Sequence, residues 1–450
     1  MAIASGLALC CLYLIGLNRV GVLGPDEPRY AAIARAMADT GDWITPRLWG
    51  RPWFEKPALI YWMSAVGFRS GLDPALAFRL PVALASIAFL VFFFLILRRD
   101  FGERAAVFAT LILATSAGWV AYSHVGIPDL PMSAAFSVAM LVIMPGALTG
   151  RRAIVAGMLL GVAILAKGLV PLVLFLPALW FLRREPRALF TILALAAGVA
   201  TPWYALVVSR NGAAFFAEFV GHQQFARFFS GEFLHVQPFW YYAPVLAAGL
   251  FPWTAFALLL FSKSIYQDRR ALFLAAWFAF GFVFFSASRG KLPHYLLPLL
   301  PPLAALIGIA IDRARERSSI ILFAIAASAI LLWLIPTAED ALSQGLISGI
   351  RRAPIHFFTG WLAPAAIVAA ACLWLELRKH RPLALVLIAA CSTLLVFRIV
   401  WRDFPELDRT ASARGLWTEE AGAIQCIPRD RQFLRYGLDY YARRELPDCH

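Results

Sequence analysis

Thirteen apolar stretches, most of roughly membrane-crossing length, constrain this chain more than any other feature. A helix needs about 20 such residues to cross a hydrocarbon core about 30 Å thick. The stretches fall near residues 2–17, 78–97, 105–123, 130–148, 153–166, 168–182, 188–207, 239–262, 271–286, 293–311, 319–336, 357–376 and 382–400. The fifth and sixth are short and separated by Lys167-Gly168, which predicts a tight helical hairpin. The first lacks the basic leader and small-residue cleavage site of a signal peptide, and is read as a span. Composition agrees: of 450 residues 61% are hydrophobic and 15% charged, against about 25% charged in a soluble domain. A soluble enzyme, a disordered chain and a disulfide-stapled secreted domain are excluded. The expected fold is an all-α polytopic membrane protein of about 13 transmembrane helices.

The formal net charge of +14 would suggest nucleic acid in a soluble chain. Here the basic residues stand mostly between apolar stretches, where they fit topology and anionic lipid instead. With the N-terminus cytoplasmic, arginine-rich loops such as Arg98, Arg99 and Arg104, or Arg183, Arg184 and Arg187, fall inside. That places the long first loop, residues 18–77, and the tail, 401–450, outside the cytoplasm. The expected organisation is a transmembrane unit over 1–400, with the site in its first loop, and a short extracytoplasmic segment over 401–450. No fixed-period repeat is visible. Among six cysteines there is no CxxC or metal-ligand spacing. Cys10, Cys11, Cys372 and Cys391 lie in apolar stretches, whereas Cys426 and Cys449 can pair if the tail meets an oxidising compartment.

The first loop is unlike the rest of the chain. Asp26-Glu27-Pro28-Arg29-Tyr30 leads into Ala-rich sequence ending at Thr40-Gly41. This predicts a helix with Asp26 at the N-cap, Pro28 in the first turn and Gly41 past the end. Tyr30, Ile33, Ala34 and Met37 make an apolar stripe suited to lying on a membrane. A second stretch, Pro57 to Phe68, is too short to span and reads as another interfacial helix. Asp26, Glu27 and Arg29, then Glu55 and Lys56, thus stand near two helix starts, where anions bind. Two of them have a plainer role open: Asp26 as a cap and Lys56 as a snorkelling cation.

Other loops on the same face add candidates. Asp129 stands between the third and fourth stretches, where it can equally cap the fourth. Glu218, His222 and Arg227 lie in EFVGHQQFARF, and Lys291, His294 and Tyr295 in SRGKLPHYLLPLLPP. A lone His near a membrane is usually structural, and the plain role of the second group is interface anchoring. Convergence of these groups on one side argues for a single extracytoplasmic site. There is no Walker loop, GxSxG elbow, HExxH or DxD pair. Nucleotide sugars are absent outside the cytoplasm, so a sugar donor there is lipid-carried, with its phosphate at the level of Arg29, Lys56 and Arg227. A carboxylate then positions or deprotonates the acceptor while cations stabilise the leaving phosphate.

The run GPDEPRYAAIARAMADTGDWITPRLWGRPWFEKPALIYW resembles the polyprenyl-phosphate-sugar glycosyltransferases of the GT-C fold. Within them the chain looks like the bacterial lipid A aminoarabinose transferases and, more distantly, the protein O-mannosyltransferases. The likeness continues through EFVGHQQFARF, PFWYYAPVLAAGLFPW and KLPHYLLPLLPPLA, covering most of residues 1–310. The pairing of DEPRY with FEKP is specific, whereas either alone is weak. The resemblance implies a GT-C fold with interfacial helices in a first periplasmic loop. It also implies an inner-membrane enzyme that faces the periplasm, needs no cofactor and uses undecaprenyl-phosphate sugar as donor. It makes Asp26 and Asp129 the catalytic carboxylates, with Arg29 and Tyr30 beside Asp26. Lys56 and Arg227 become the cations on the lipid phosphate, and Lys291 and Tyr295 lie near the donor. Glu55 and His222 match positions that can approach a non-essential metal ion. The expected partners are membrane lipids, the lipid-linked donor and lipid A or another envelope glycan, with no nucleic acid, and the chain is expected as a monomer.

Two departures stand out. Ala58 replaces the second proline of an EKPP motif, and the tail after residue 400 is shorter than the periplasmic domain of the aminoarabinose enzymes. Transfer to protein or another glycan is the alternative within the class. A lipid-linked-sugar flippase is the rival outside it, but would place ionisable groups near the midplane, where these stretches carry almost none.

Overall fold

The computed structural model describes residues 10–145, 148–219, 221, 236–333, 336, 359–419 and 424–449. Most are helical, with one two-stranded antiparallel ribbon, β1 (Arg47–Leu48) and β2 (Arg51–Pro52). The first loop carries α1 (Asp26–Thr40) and α2 (Leu59–Arg69). The bundle follows with α3 (Pro74–Phe101), α4 (Glu103–Thr115), α5 (Ala117–Ser123), α6 (Asp129–Val142), α7 (Gly150–Lys167) and α8 (Pro186–Asn211). It continues with α9 (Tyr242–Gly249), α10 (Arg269–Ala287), α11 (Leu300–Arg313), α12 (Ser319–Leu331), α13 (Leu362–Leu377) and α14 (Arg381–Ala411). A last helix, α15 (Arg435–Ala442), lies in the tail.

Among the described residues six helices are long and apolar enough to cross a membrane, or eight if each of two bent pairs is one span. This is a multi-pass membrane protein, with fewer straight spans than the thirteen stretches suggest. Residues 2–9 of the first stretch lie outside the described residues. The third bends by 58° between α4 and α5, and the eighth by 117° between Phe239–Gly249 and Trp253–Phe261. The two breaks serve each other: the Ala117 N–H donates to the Phe251 carbonyl (2.9 Å) and the Trp253 indole N–H to Thr115 Oγ1 (2.9 Å). Helix breaks at membrane depth persist only where protein satisfies the freed backbone groups. The seventh stretch extends into the 26-residue α8. The fifth becomes α7, which stops where Gly168 takes φ 75°, and the sixth follows as two short helices, Val170–Leu174 and Leu176–Leu182.

At the centre runs α11, in which every residue from Leu300 to Ile311 is buried. It packs on α4 so closely that a Cβ on Gly308 would stand 2.5 Å from the Ala109 backbone nitrogen. At one end of the bundle Arg381 joins three helices. It pairs with Glu376 (2.8 Å) and donates to the carbonyls of Ile311 (2.8 Å) and Ala314 (2.9 Å).

Candidate active site

The other end of the bundle gathers the start of α6, the end of α7 and the chain at 292–295 beneath α1. Local sequence explains how α1 starts and stops. Pro28 occupies its first turn, and Gly41 ends it in the left-handed region at φ 73°, with its N–H on the Met37 carbonyl (2.9 Å). The cap position is Pro25, not Asp26, and no side chain caps the helix. Asp26 is instead the first helical residue and pairs with Arg29 one turn on. The stripe of Tyr30, Ile33, Ala34 and Met37 is buried against protein rather than lipid, because α2 and α15 cover it.

Glu27 separates from its neighbour's work. It is buried and bonded to Arg79 at 2.6 and 2.8 Å, while the N–H groups of Leu23 and Gly126 donate to it at 2.9 Å each. Arg79 further donates to the carbonyls of Leu17, Val20 and Gly21. One ion pair thereby ties the chain before α1, α3 and the loop before Asp129 into a unit. Breaking such a pair strands a buried charge, at a cost of about 3–5 kcal/mol. Its effect is to fix Asp26 relative to Asp129.

A small pocket is lined by Asp26, Tyr30, Glu55, Lys56, Ile127, Asp129, Lys167, Leu292, His294 and Tyr295. Glu55 is its hub: Arg29 lies 3.0 Å and Lys56 3.1 Å away, and the Tyr30 hydroxyl donates to it at 3.2 Å. The Trp53 indole adds a bond at 3.3 Å. Across the pocket, buried Asp129 pairs with Lys167, and His294 Nε2 stands 3.8 Å from the same carboxylate. The Lys167 ammonium also lies 4.2 Å from the centre of the Tyr295 ring. Burial pushes the Tyr30 hydroxyl well above its usual pKa, and Glu55 and Asp26 raise it further. Burial, the largest single effect, would weaken the charge of Arg29, but Glu55, Tyr30, Asp26 and Tyr436 together outweigh it, and the guanidinium holds its proton more tightly than usual.

Three carboxylates, Asp26, Glu55 and Asp129, thus line a pocket with cations on either side. Of the sequence candidates, Asp26, Tyr30, Glu55, Lys56, Asp129 and Tyr295 line it and Arg29 supports it. Lys291 does not line it: its ammonium donates to the carbonyls of Gln237 (3.0 Å) and Ser288, joining two segments of chain. His222 and Arg227 lie outside the described residues. Among the described residues no three His, Cys, Asp or Glu side chains could hold a metal ion together. The sequence shows Lys167 only as the break between two apolar stretches, and His294 only as an interface anchor. An ionisable residue closing the apolar run before Gly168 was the available signal. Arg79 was read as part of a span.

Helical spans bearing a polar, carboxylate-lined pocket at one end suit an integral-membrane glycosyltransferase of the GT-C fold, and the comparisons show that class. The dolichyl-phosphate-mannose-protein mannosyltransferase family model matches residues 55–208. The undecaprenyl phosphate-alpha-4-amino-4-deoxy-L-arabinose arabinosyl transferase of Pseudomonas aeruginosa (strain LESB58) is 31% identical over 489 residues, covering 99% of this chain and 88% of the relative. That of Aeromonas salmonicida is 33% identical over 68% of this chain and 59% of its own length. The crystal structure of ArnT from Cupriavidus metallidurans bound to undecaprenyl phosphate superposes with a TM-score of 0.79. It is 26% identical and covers 99% of this chain and 85% of that one. Arabinosyltransferase EmbB of Mycobacterium smegmatis shares the fold at 15% identity, with a TM-score of 0.58 over 94% of this chain and 43% of that one. The chain belongs to the family of the undecaprenyl phosphate-aminoarabinose arabinosyl transferases.

Proposed function

We propose that this enzyme transfers 4-amino-4-deoxy-L-arabinose, or a closely related sugar, from undecaprenyl phosphate to a phosphate of lipid A. The donor class comes from the relatives' names, and the acceptor from the resemblance of the first loop to the lipid A enzymes. The observation that carries the reading is the pocket itself, in which Asp26 and Asp129 each pair with a cation of their own. In the proposed reaction an acceptor oxygen forms a bond to the anomeric carbon as the bond to the lipid phosphate breaks. The configuration inverts, and the polyprenyl phosphate leaves with the electron pair.

Lys56 takes the departing phosphate, with Arg227 as its partner cation, since charge developing on a leaving group is best met by preorganised donors. An ionised acceptor phosphate needs no base, so Asp26 orients the sugar or balances positive charge at its anomeric carbon. With a hydroxyl acceptor Asp26 becomes the base. Asp129, paired with Lys167, holds the sugar from the other side, and Tyr295 and Lys291 serve the donor side, the latter by shaping its loop. Glu55 is already engaged by Arg29, Lys56, Tyr30 and Trp53, so no step is routed through a metal at Glu55 and His222. No cofactor is required. The enzyme works as a monomer in the inner membrane, with its site in the periplasm. Residues 1–400 form the catalytic unit, and 401–450 a segment beside it.

The test is mass spectrometry of lipid A from isogenic strains carrying the intact protein or Asp26→Asn. A sugar-sized increment confined to the intact protein is expected. Identical spectra would move the acceptor elsewhere, and purified enzyme given labelled undecaprenyl-phosphate sugar would then show whether protein or another glycan receives it.

A further inference from the structure

The tail does more than trail the last span. Cys426 and Cys449 are joined by a disulfide, which closes a loop containing the whole of α15. Its ends are zipped by the Ile427 N–H on the Pro447 carbonyl (2.8 Å) and the Cys449 N–H on the Ile427 carbonyl (3.1 Å). Ile427, Leu438 and Leu446, with Ala413, form a small apolar core of its own. This compact loop docks on α1 through tyrosines. The Tyr440 ring lies 4.3 Å from the Arg35 guanidinium carbon and accepts its hydrogen bond at the hydroxyl. The Tyr441 hydroxyl accepts the Val22 N–H at 3.4 Å.

The third tyrosine reaches the active site. The Tyr436 ring centre stands 5.0 Å from the guanidinium carbon of Arg29. Each of the three Arg29 guanidinium nitrogens already has an oxygen partner: Nη2 meets Asp26, Nη1 lies 3.0 Å from Glu55 and Nε donates to the Pro25 carbonyl at 3.0 Å. With these contacts holding the plane of the guanidinium, its flat π-face is presented to a further partner, and such a face takes an aromatic ring well. No hydrogen bond to the Tyr436 hydroxyl occurs among the described residues, so the ring is what acts. It helps leave only 14% of the Arg29 side chain exposed, and excluding water strengthens the charge pairs beneath it.

We propose that Tyr436, presented by the disulfide-closed loop, is a positioning residue for transfer, acting through Arg29 to hold Asp26 and Glu55 in register. The role rests on the reading of Asp26 as a catalytic carboxylate. Because Lys56 and the other cations hold the donor phosphate, loss of the ring lowers kcat and leaves the donor KM nearly unchanged. A cation–π contact of this kind corresponds to about a 3- to 30-fold change in rate.

The experiment uses the full chain in nanodiscs, with labelled undecaprenyl-phosphate sugar and lipid A, and compares Tyr436→Phe, Tyr436→Trp and Tyr436→Leu. Phe and Trp are expected to retain kcat within about twofold, and Leu to lose about 3- to 30-fold, the range of the contact. Reduction of the disulfide should lower kcat of the unaltered enzyme likewise, and lower Tyr436→Leu little further. Hydrogen exchange of peptides spanning residues 23–34 provides a readout that needs no acceptor. It should quicken in Tyr436→Leu and stay unchanged in Tyr436→Phe. Unaltered exchange and kcat in Tyr436→Leu, or equal losses in Phe and Leu, would overturn the proposal. An unaltered enzyme inactive towards lipid A would instead count against the proposed acceptor, and the exchange comparison would still decide the role of the ring.

Discussion

Asp26 and Glu27 are neighbours of like charge with opposite duties. Asp26 faces the pocket beside Arg29, whereas Glu27 turns into the protein and closes on Arg79. Adjacent helix residues point about 100° apart, so a single DE pair serves two environments. Asp26→Asn should reduce kcat by at least about 100-fold, the scale of a lost electrostatic contact at a reacting centre, with membrane yield unchanged. Across the pocket, Lys167→Met should destabilise the fold by about 3–5 kcal/mol, because it leaves Asp129 buried without its lysine and with only His294 nearby. Thermal unfolding in detergent would show it. Adding Asp129→Asn should recover most of that stability but no transfer. Recovery of transfer in the double variant would show that neither group touches the sugar. At this scale the sequence exposed Asp26, Glu55, Lys56 and Asp129 as unusual ionisable groups beside a membrane. It did not show which pairs with which. The partner of Asp129 lies 38 residues away in sequence, and only the packing of α6 on α7 brings the two together.

The elements obey local rules at their ends and tertiary ones in their middles. Asp73 caps α3 by accepting the Ala75 N–H at 2.9 Å, with Pro74 behind it in the first turn, as its sequence dictates. The stripe on α1 was equally legible, but its partner was not. An apolar face two turns long can lie on lipid or on protein, and α2 and the tail took it. The bends between α4 and α5 and around residue 251 could not be read from hydropathy, which averages over a window and is blind to direction. Close packing at the centre gives a test at this scale. Gly308→Ala should cost about 1–3 kcal/mol, since the added methyl meets the rigid backbone of Ala109 rather than a yielding side chain. A thermal midpoint equal to that of the unaltered protein would contradict the close approach of α4 and α11.

For the molecule as a whole, the tail is a disulfide-closed loop docked on the helix that carries the site. Removing the disulfide with Cys426→Ser and Cys449→Ser should destabilise the loop by about 2–4 kcal/mol, read as faster proteolysis of residues after 411 while the bundle stays intact. The docked loop should also respond to pH. Asp439 is buried beneath the Leu446 N–H, which donates to it at 2.9 Å, and burial pushes its pKa up to about 6 from 3.8. A raised carboxyl pKa means that the folded loop binds the proton more tightly than the unfolded one. Its contribution is therefore complete below about pH 4 and lost as pH rises through about 6. Asp439→Asn should flatten that dependence and stabilise the loop at pH 7.5 by on the order of 1–3 kcal/mol. Proteolysis rates that rise from pH 4 to 7 in both forms alike would refute this.

The sequence by itself determined the class: apolar runs in a charge-poor chain can satisfy their backbone in lipid only as packed helices, and its polar motifs marked one face for chemistry. Tertiary structure decided everything that depends on distance between remote residues. It chose Lys167 for Asp129, Arg79 for Glu27 and Tyr436 for Arg29, and it set Lys291 to holding a loop. Hydropathy is a property of neighbours along the chain, so it reports burial and direction of travel. Charge pairing and ring stacking act over a few ångströms in space, and those contacts exist only once the helices have packed.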